Sequence, residues 1–219
     1  MATENLIYDP NFFFCKNLVD AKKIILGPYG GLEADERWKV ETKWLLEHIK
    51  FDNEEDVVVD YGCGVGRLAR EIKNPVLGVD FSQSMRLQAE IYVGKDSFSV
   101  ITPEMLQILF GNGLKISGAM SIWSFQHIIE VEETIDMLMR GMRSRGIFWL
   151  LDMYKRYIPC IVPGDPELNY EDKFIQAYTC SDRKEILPMI DKWCDLENDE
   201  LMPLYTSEQK IELRKYRRK

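Results

Sequence analysis

Histidine is scarce in this chain of 219 residues: His48 and His127 are the only two, which argues against a His-rich metal site. Cysteine is little commoner. Cys15, Cys63, Cys160, Cys180 and Cys194 are odd in number, scattered and without a C-x-x-C pair. They read as reduced thiols, not as a disulfide framework or a zinc site, so no metal is expected. Basic charge is short as well, with 28 Lys and Arg against 36 Asp and Glu and a net charge of −8. A dedicated nucleic-acid binder neutralises phosphates with Lys and Arg, so that class is disfavoured. The one basic patch, "LRKYRRK" from Leu213 to Lys219, reads as a solvated edge strand or tail. No apolar run is long enough to span a bilayer, and "MATENLIYDP" lacks the basic and apolar segments of a secretory leader. A cytoplasmic protein with no membrane partner is expected. Internal repeats and low-complexity segments are absent.

What is present is enough apolar surface for a sizeable core, 46% hydrophobic residues of which the aromatics make 11% of the chain. The first fifty residues pattern as amphipathic helices, "NFFFCKNLVDAKKIIL" and "DERWKVETKWLLEHI", broken by turn residues at "GPYGG". We read residues 1–50 as a helical lid or cap and residues 51–219 as one globular unit. In the latter, "DVVVDYG" is a β-branched run without alternation, as in a buried parallel strand, with "GRLAREI" as its helix. "PVLGVDFS", "SFSVIT", "ISGAMSIW" and "GIFWLLDMY" follow as strands, with "SQSMRLQAEIYV" (N-capped by Ser82) and "VEETIDMLMRGMR" as helices between them. Residues 155–175 are Pro-rich and irregular, a loop over the site. A helix over "SDRKEILPMIDKWCDL" precedes two alternating runs, "DELMPLY" and "KIELRKY", expected as an antiparallel hairpin. Repeating βα units predict an α/β fold with a doubly wound, mostly parallel seven-stranded sheet and helices on both faces.

The segment from Asp56 to Ile72, "DVVVDYGCGVGRLAREI", poses the functional question. A Gly-rich turn between a buried strand and a helix lets the backbone approach a ligand closely. Gly62, Gly64 and Gly66 alternate, and Arg67 stands where the dinucleotide fingerprint has its third glycine. No Gly-Lys-Ser/Thr follows, so the phosphate-loop pattern fails too.

"VVVDYGCGVGRLA" resembles the first motif of the class I S-adenosylmethionine-dependent methyltransferases, and "VLGVDFSQSM" is similar to their second. Asp60 and Asp80 stand about twenty residues apart, the separation of a ribose-binding acid from the glycine turn. "MSIWSFQHI" resembles the family's strand-four motif. The resemblance runs from about Trp38 to the C-terminus. It implies S-adenosylmethionine as cofactor, with S-adenosylhomocysteine as product. Gly62, Cys63, Gly64 and Gly66 would line its methionine part, and Asp60 would hold the loop and the amino group, directly or through water. Asp80 would take the ribose hydroxyls, while Phe81 would pack on adenine. Glu104 and Trp123 complete the expected cofactor set. The chain departs from the family pattern in having Glu104 within "ITPEMLQ" where an acid beginning with Asp is usual. It also has "LKISGAM" without the Phe-Asp that commonly opens strand four.

Methyl transfer to a hydroxyl or ammonium also requires loss of a proton, and His127, just after strand four, is the candidate base. Tyr29, Trp38, Trp123 and Tyr154 are candidates for an aromatic acceptor pocket or for core packing. The Asn/Asp-Pro-Pro-Tyr signature of amino-methylating enzymes is replaced by "WSFQ", and neither Cys160 nor Cys180 sits where cytosine methyltransferases keep their nucleophile. The expected acceptor is a small molecule methylated on oxygen or nitrogen. Protein or glycan methylation, or a non-catalytic cofactor-binding or partner subunit, are the alternatives.

Overall fold

The computed structural model describes residues 7–8, 13–27, 31–128, 130–152, 160–161, 183–205 and 211–219. Strand β1 (Ile7–Tyr8) pairs antiparallel with a distant two-residue strand, Cys160–Ile161. Helix α1 (Leu18–Ile25) starts where Asn17 accepts the Asp20 amide, which satisfies one of the first-turn donors. Helix α2 (Ala34–His48) buries Trp38 and Leu45, with Ile49 buried just past its end, the stripe that the 3.6-residue periodicity marks. His48 at its end stacks on Trp44 at 4.1 Å and meets Glu200 at 2.8 Å, a partly exposed structural histidine.

The main sheet runs through β2 (Val58–Tyr61), β3 (Val76–Val79), β4 (Phe98–Ile101), β5 (Ile116–Ile122) and β6 (Met142–Leu151), each parallel to its neighbour. With Cys160–Ile161 as β7, the last strands are β8 (Cys194–Leu201) and β9 (Glu212–Arg218), and the sheet order is β4-β3-β2-β5-β6-β9-β8. The expected seven-stranded, mostly parallel sheet with antiparallel closing strands is therefore what the chain forms. Helices α3 (Gln83–Val93), α4 (Pro103–Gly111), α5 (Val131–Gly141) and α6 (Arg183–Asp191) complete the layers. Ser82 caps α3 through its hydroxyl, and Thr102 caps α4 just before Pro103 at N1.

Successive side chains of a strand point to opposite faces, and two cores follow from that. Val59, Ala119, Phe148 and Leu150 pack with α4, α5 and α6. Val58, Met120, Trp149 and Leu151 pack with Leu45 and Ile49 of α2 and with Leu68 and Ile72 after the glycine turn. A third cluster joins Cys15, Ala21, Leu26 and Trp38 of the N-terminal helices to Val65 and Met85. Full burial of a Leu such as Leu45 contributes about 2 kcal/mol, so α2 is firmly seated on the sheet.

Four sequence expectations need correction. "GRLAREI" forms single hydrogen-bonded turns, such as Arg70 to Gly66 and Ile72 to Leu68, and no α-helix. Gly66 at φ +73° is left-handed, so the segment enters outside helical geometry. The final helix ends at Asp191, and Cys194 to Leu201, in place of "DELMPLY", is the strand that precedes the closing turn. Strand β6 begins at Met142, inside the expected helix, because α5 stops at Gly141. A Cβ there would lie 2.4 Å from the Phe110 ring. The basic C-terminal patch is no edge or tail: β9 lies between β6 and β8, with Leu213 and Tyr216 buried. Its charges are met by acids, Arg217 by Glu197 and Asp52 and Arg214 by Glu212. The expectations for Tyr29 and Tyr154 lie outside the described residues, as does segment 155–175 apart from Cys160–Ile161.

Candidate active site

Strand order reverses between β2 and β5, and a doubly wound sheet opens a crevice beyond the carboxyl ends of the strands at such a point. A cavity of about 840 Å³ lies there. That falls within the ~300–1,000 Å³ usual for small-molecule sites. Its wall contains the ends of β2 (Asp60, Tyr61, Gly62), β3 (Val79, Asp80, Phe81) and β5 (Ile122, Trp123).

The glycines are demanded by chain packing. Gly62 has φ +74°, and a Cβ on it would lie 1.9 Å from Ser124 Oγ, at the turn that follows β5. Gly64 has φ +54°, and its Cβ would meet Ile25 Cδ1 of α1 at 2.7 Å. Gly62, Cys63 and Gly64 line the cavity, whereas Gly66 turns away from it, toward Val93 and Phe98. The loop is tied to β3 by Asp80: Oδ2 accepts from the Gly64 amide at 2.9 Å and Oδ1 from the Ser82 amide at 2.9 Å. Burial raises the Asp80 pKa to about 6, against the lowering effect of those two amides.

Among the described residues no hydrogen bond reaches the Asp60 carboxylate on the cavity wall, and the direct tie to the glycine loop is made by Asp80. Asp60 is 4% exposed, and burial raises its pKa to about 7, with Arg67 opposing and Asp80 reinforcing the rise. Cys63 is buried, and desolvation holds its thiol well above the ordinary value, so it is inert wall.

Phe81 is partly exposed at the cavity and makes an edge contact with Phe13 at 5.5 Å. Phe13 also meets the His127 ring at 5.2 Å, so the N-terminal segment bridges the far wall of the site. Ser82 Oγ donates to the Phe13 carbonyl at 3.1 Å, which fastens that bridge to β3. His127 ends a 3-10 turn, Phe125–His127, and its Nε2 accepts from the Gln126 amide at 3.0 Å. Glu104, in the first turn of α4, reaches the cavity, where the Thr102 hydroxyl and the Glu104 amide hold its carboxyl below the usual range.

The sequence reading missed Glu41. It is fully buried on α2 and accepts from Arg67 (2.6 Å), the Trp123 indole (2.7 Å) and the Tyr205 hydroxyl (2.6 Å). A signal was available, since Glu41 stands three residues after Trp38 and four before Leu45, a charge on the apolar stripe. Of the ten expected site residues, Gly66 alone lies off the wall; Asp60, Gly62, Cys63, Gly64, Asp80, Phe81, Glu104, Trp123 and His127 share it. Among the described residues no group of three or more His, Cys, Asp or Glu is arranged to hold a metal ion. Nor is any described helix long and apolar enough to cross a membrane.

Known proteins share parts of this sequence and its fold. Residues 59–150, from β2 to β6, match the family model described as a methyltransferase domain. Over that segment the chain is similar to methyltransferase domains. No curated protein matches it by sequence. Among solved structures, the chain resembles the PH0226 protein of Pyrococcus horikoshii OT3, with 17% identity and a TM-score of 0.61 over 87% of this chain and 93% of that one. It also resembles N-methyltransferase NodS of Bradyrhizobium japonicum WM9, solved with S-adenosyl-L-homocysteine, with 9% identity and a TM-score of 0.59 over 84% and 87%. The [4+2]-cyclase SpnF is similar too, with 16% identity and a TM-score of 0.57 over 85% and 67%. At such identities the likeness is one of fold, and a fold shared with a cyclase does not fix the reaction.

Proposed function

We propose that the domain binds S-adenosylmethionine and transfers its methyl group to an oxygen or nitrogen of a small-molecule acceptor. The observation that carries this reading is Asp80. Its carboxylate is held at the strand-order reversal by two amides and faces a cavity whose floor is the Gly62–Gly64 turn. Each oxygen keeps a lone pair for a ribose hydroxyl. Phe81 offers an apolar surface beside it for a purine, and Glu104 and Gln107 lie on the same wall. When bound, the cofactor supplies an electrophilic methyl on a sulfonium, and transfer is an in-line displacement in which the protein's part is alignment and exclusion of water.

Phe13, Trp123 and Ile25 cover the cavity and keep bulk water from the reacting centre. His127 stands at the rim as the group to receive the acceptor's proton. Its Nε2 accepts from Gln126, which puts the ring's own proton on Nδ1, so the Gln126 amide must swing aside for Nε2 to take the acceptor's proton. The test is a turnover assay with methyl-labelled S-adenosylmethionine and a panel of hydroxyl and amine acceptors, read as label transferred and S-adenosylhomocysteine released. Turnover with one acceptor class, abolished in Asp80→Ala and reduced at least about 100-fold in His127→Ala, supports both assignments.

A second reading has its own observation. Ile25 of α1 already occupies the Cβ side of Gly64, so the chain's own helix covers the glycine turn. A non-catalytic partner subunit would tolerate that cover. Binding of S-adenosylhomocysteine without turnover on any acceptor would favour this second reading. Localisation in the cytoplasm and the absence of a nucleic-acid partner stay proposals that rest on composition.

A further inference from the structure

We infer that Glu41 is a positioning residue that fixes the rim of the site by gathering donors from three separate parts of the chain. Its Oε1 accepts from Arg67 Nη2 at 2.6 Å and from Trp123 Nε1 at 2.7 Å. Its Oε2 accepts from the Tyr205 hydroxyl at 2.6 Å and lies 3.7 Å from Arg37 Nε. Arg67 comes from the turns after the glycine loop, Trp123 from the end of β5 and Tyr205 from the turn after β8. Arg37, Arg67, Trp123 and Tyr205 all line the cavity, while Glu41 stands behind them. Glu41 therefore acts through them.

Two features show that the arrangement is imposed. Trp123 has φ +61°, a left-handed conformation that a bulky residue seldom adopts and that surrounding bonds must hold. Those bonds are the Glu41 contact at the indole and the Trp123 amide to the Leu151 carbonyl at 2.7 Å. The Trp123 and Tyr205 rings also meet edge to face at 5.4 Å, so both are set by the same carboxylate. Arg67 is 6% exposed, and its Nη1 is buried without a partner, so Glu41 is the carboxylate paired with that guanidinium. Burial, and next the Glu41 charge, raise the Tyr205 pKa, which keeps its hydroxyl a donor. His127 follows Trp123 by four residues on the same turn, so the lie of the candidate base depends on this anchor.

The inference extends the cofactor-binding reading and rests on it only for its affinity readout. The experiment compares wild type and Glu41→Gln by hydrogen exchange at single amides and by calorimetric binding of S-adenosylhomocysteine. A Gln keeps one acceptor oxygen and turns an NH₂ toward the remaining donors. The result expected is at least tenfold faster exchange at the Trp123, His127 and Ile128 amides, with those of Val58 and Val76 in the sheet unchanged. Cofactor-product affinity falls about tenfold, equivalent to about 1.4 kcal/mol. Equal acceleration at all of these amides would mark a merely structural role and overturn the inference, as would no change at the rim. Should Glu41→Gln fail to fold, Trp123→Phe removes the indole donor and keeps the charges. Faster exchange at His127 and Ile128 is then expected, and wild-type exchange there would overturn the inference. If wild type binds no S-adenosylhomocysteine, the cofactor reading fails, and the exchange data still decide the role of Glu41.

Discussion

Replacing Asp60 by Asn should make the protein more stable at pH 8, and the structure gives the sign and scale. Asp60 is 4% exposed, and its pKa is displaced upward from 3.8 to about 7, chiefly by burial. Three pKa units at ~1.36 kcal/mol each set a ceiling of about 4 kcal/mol for the cost of keeping the charge folded at high pH. That pKa is already net of the Arg67 attraction; a buried Asn amide brings its own desolvation cost, so a net gain of about 1–2 kcal/mol is expected at pH 8. Between pH 4 and 7 the folded protein holds a proton on Asp60 that the unfolded chain has released. This contribution to stability is therefore largest below pH 4 and is lost as pH rises through 7. Urea unfolding of wild type and Asp60→Asn at pH 5 and pH 8 measures the difference, because other titrations are common to both. The advantage of Asn should be at least about 1 kcal/mol greater at pH 8 than at pH 5. A variant that is less stable than wild type at pH 8, or an advantage that shrinks as pH rises, would refute the assignment of Asp60 as a buried, strained carboxylate.

Other outcomes follow from the same geometry. Gly62→Ala combines a φ of +74° with a Cβ 1.9 Å from Ser124 Oγ, so a loss of about 3 kcal/mol and a fall of roughly 6–12 °C in Tm are expected by calorimetry. Asp80 has a pKa of about 6 and accepts best when ionised, so affinity for a ribose-bearing ligand should fall as pH drops from 7.5 to 5 in titrations. A flat profile would count against Asp80 as the clamp. Cys15, Cys63 and Cys194 are buried with raised pKa values, so peptide mapping after iodoacetamide at pH 7.5 should find them unmodified in the native protein and modified in urea.

The strands of the sheet were legible because burial on both faces forces β-branched and aliphatic runs, as in "VVVD" and "GAMSI", where loop and helix sequences are mixed. The cavity's place was legible for a related reason: alternating glycines between a strand and a turn carry a backbone requirement that shows at the residue level. The short segment after Gly66 misled because "RLAREI" has helical composition, while the left-handed backbone of Gly66 and its packing toward Val93 and Phe98 show only in the structure. Strand β9 misled because its Arg and Lys side chains look solvated until Glu197 on the neighbouring strand and the distant Asp52 are seen to meet Arg217. Glu41 was hidden for the same reason. Its partners lie 26, 82 and 164 positions away, and sequence pattern reports periodicity, not pairing at that range.

The most direct measurement is calorimetric titration of the protein and of Asp80→Ala with S-adenosylmethionine and S-adenosylhomocysteine, with NAD as control. The account predicts micromolar binding of both sulfur ligands to wild type, a loss of at least about thirtyfold in Asp80→Ala, and no heat from NAD. Wild type that binds neither sulfur ligand, or Asp80→Ala that binds them as tightly as wild type, would contradict it.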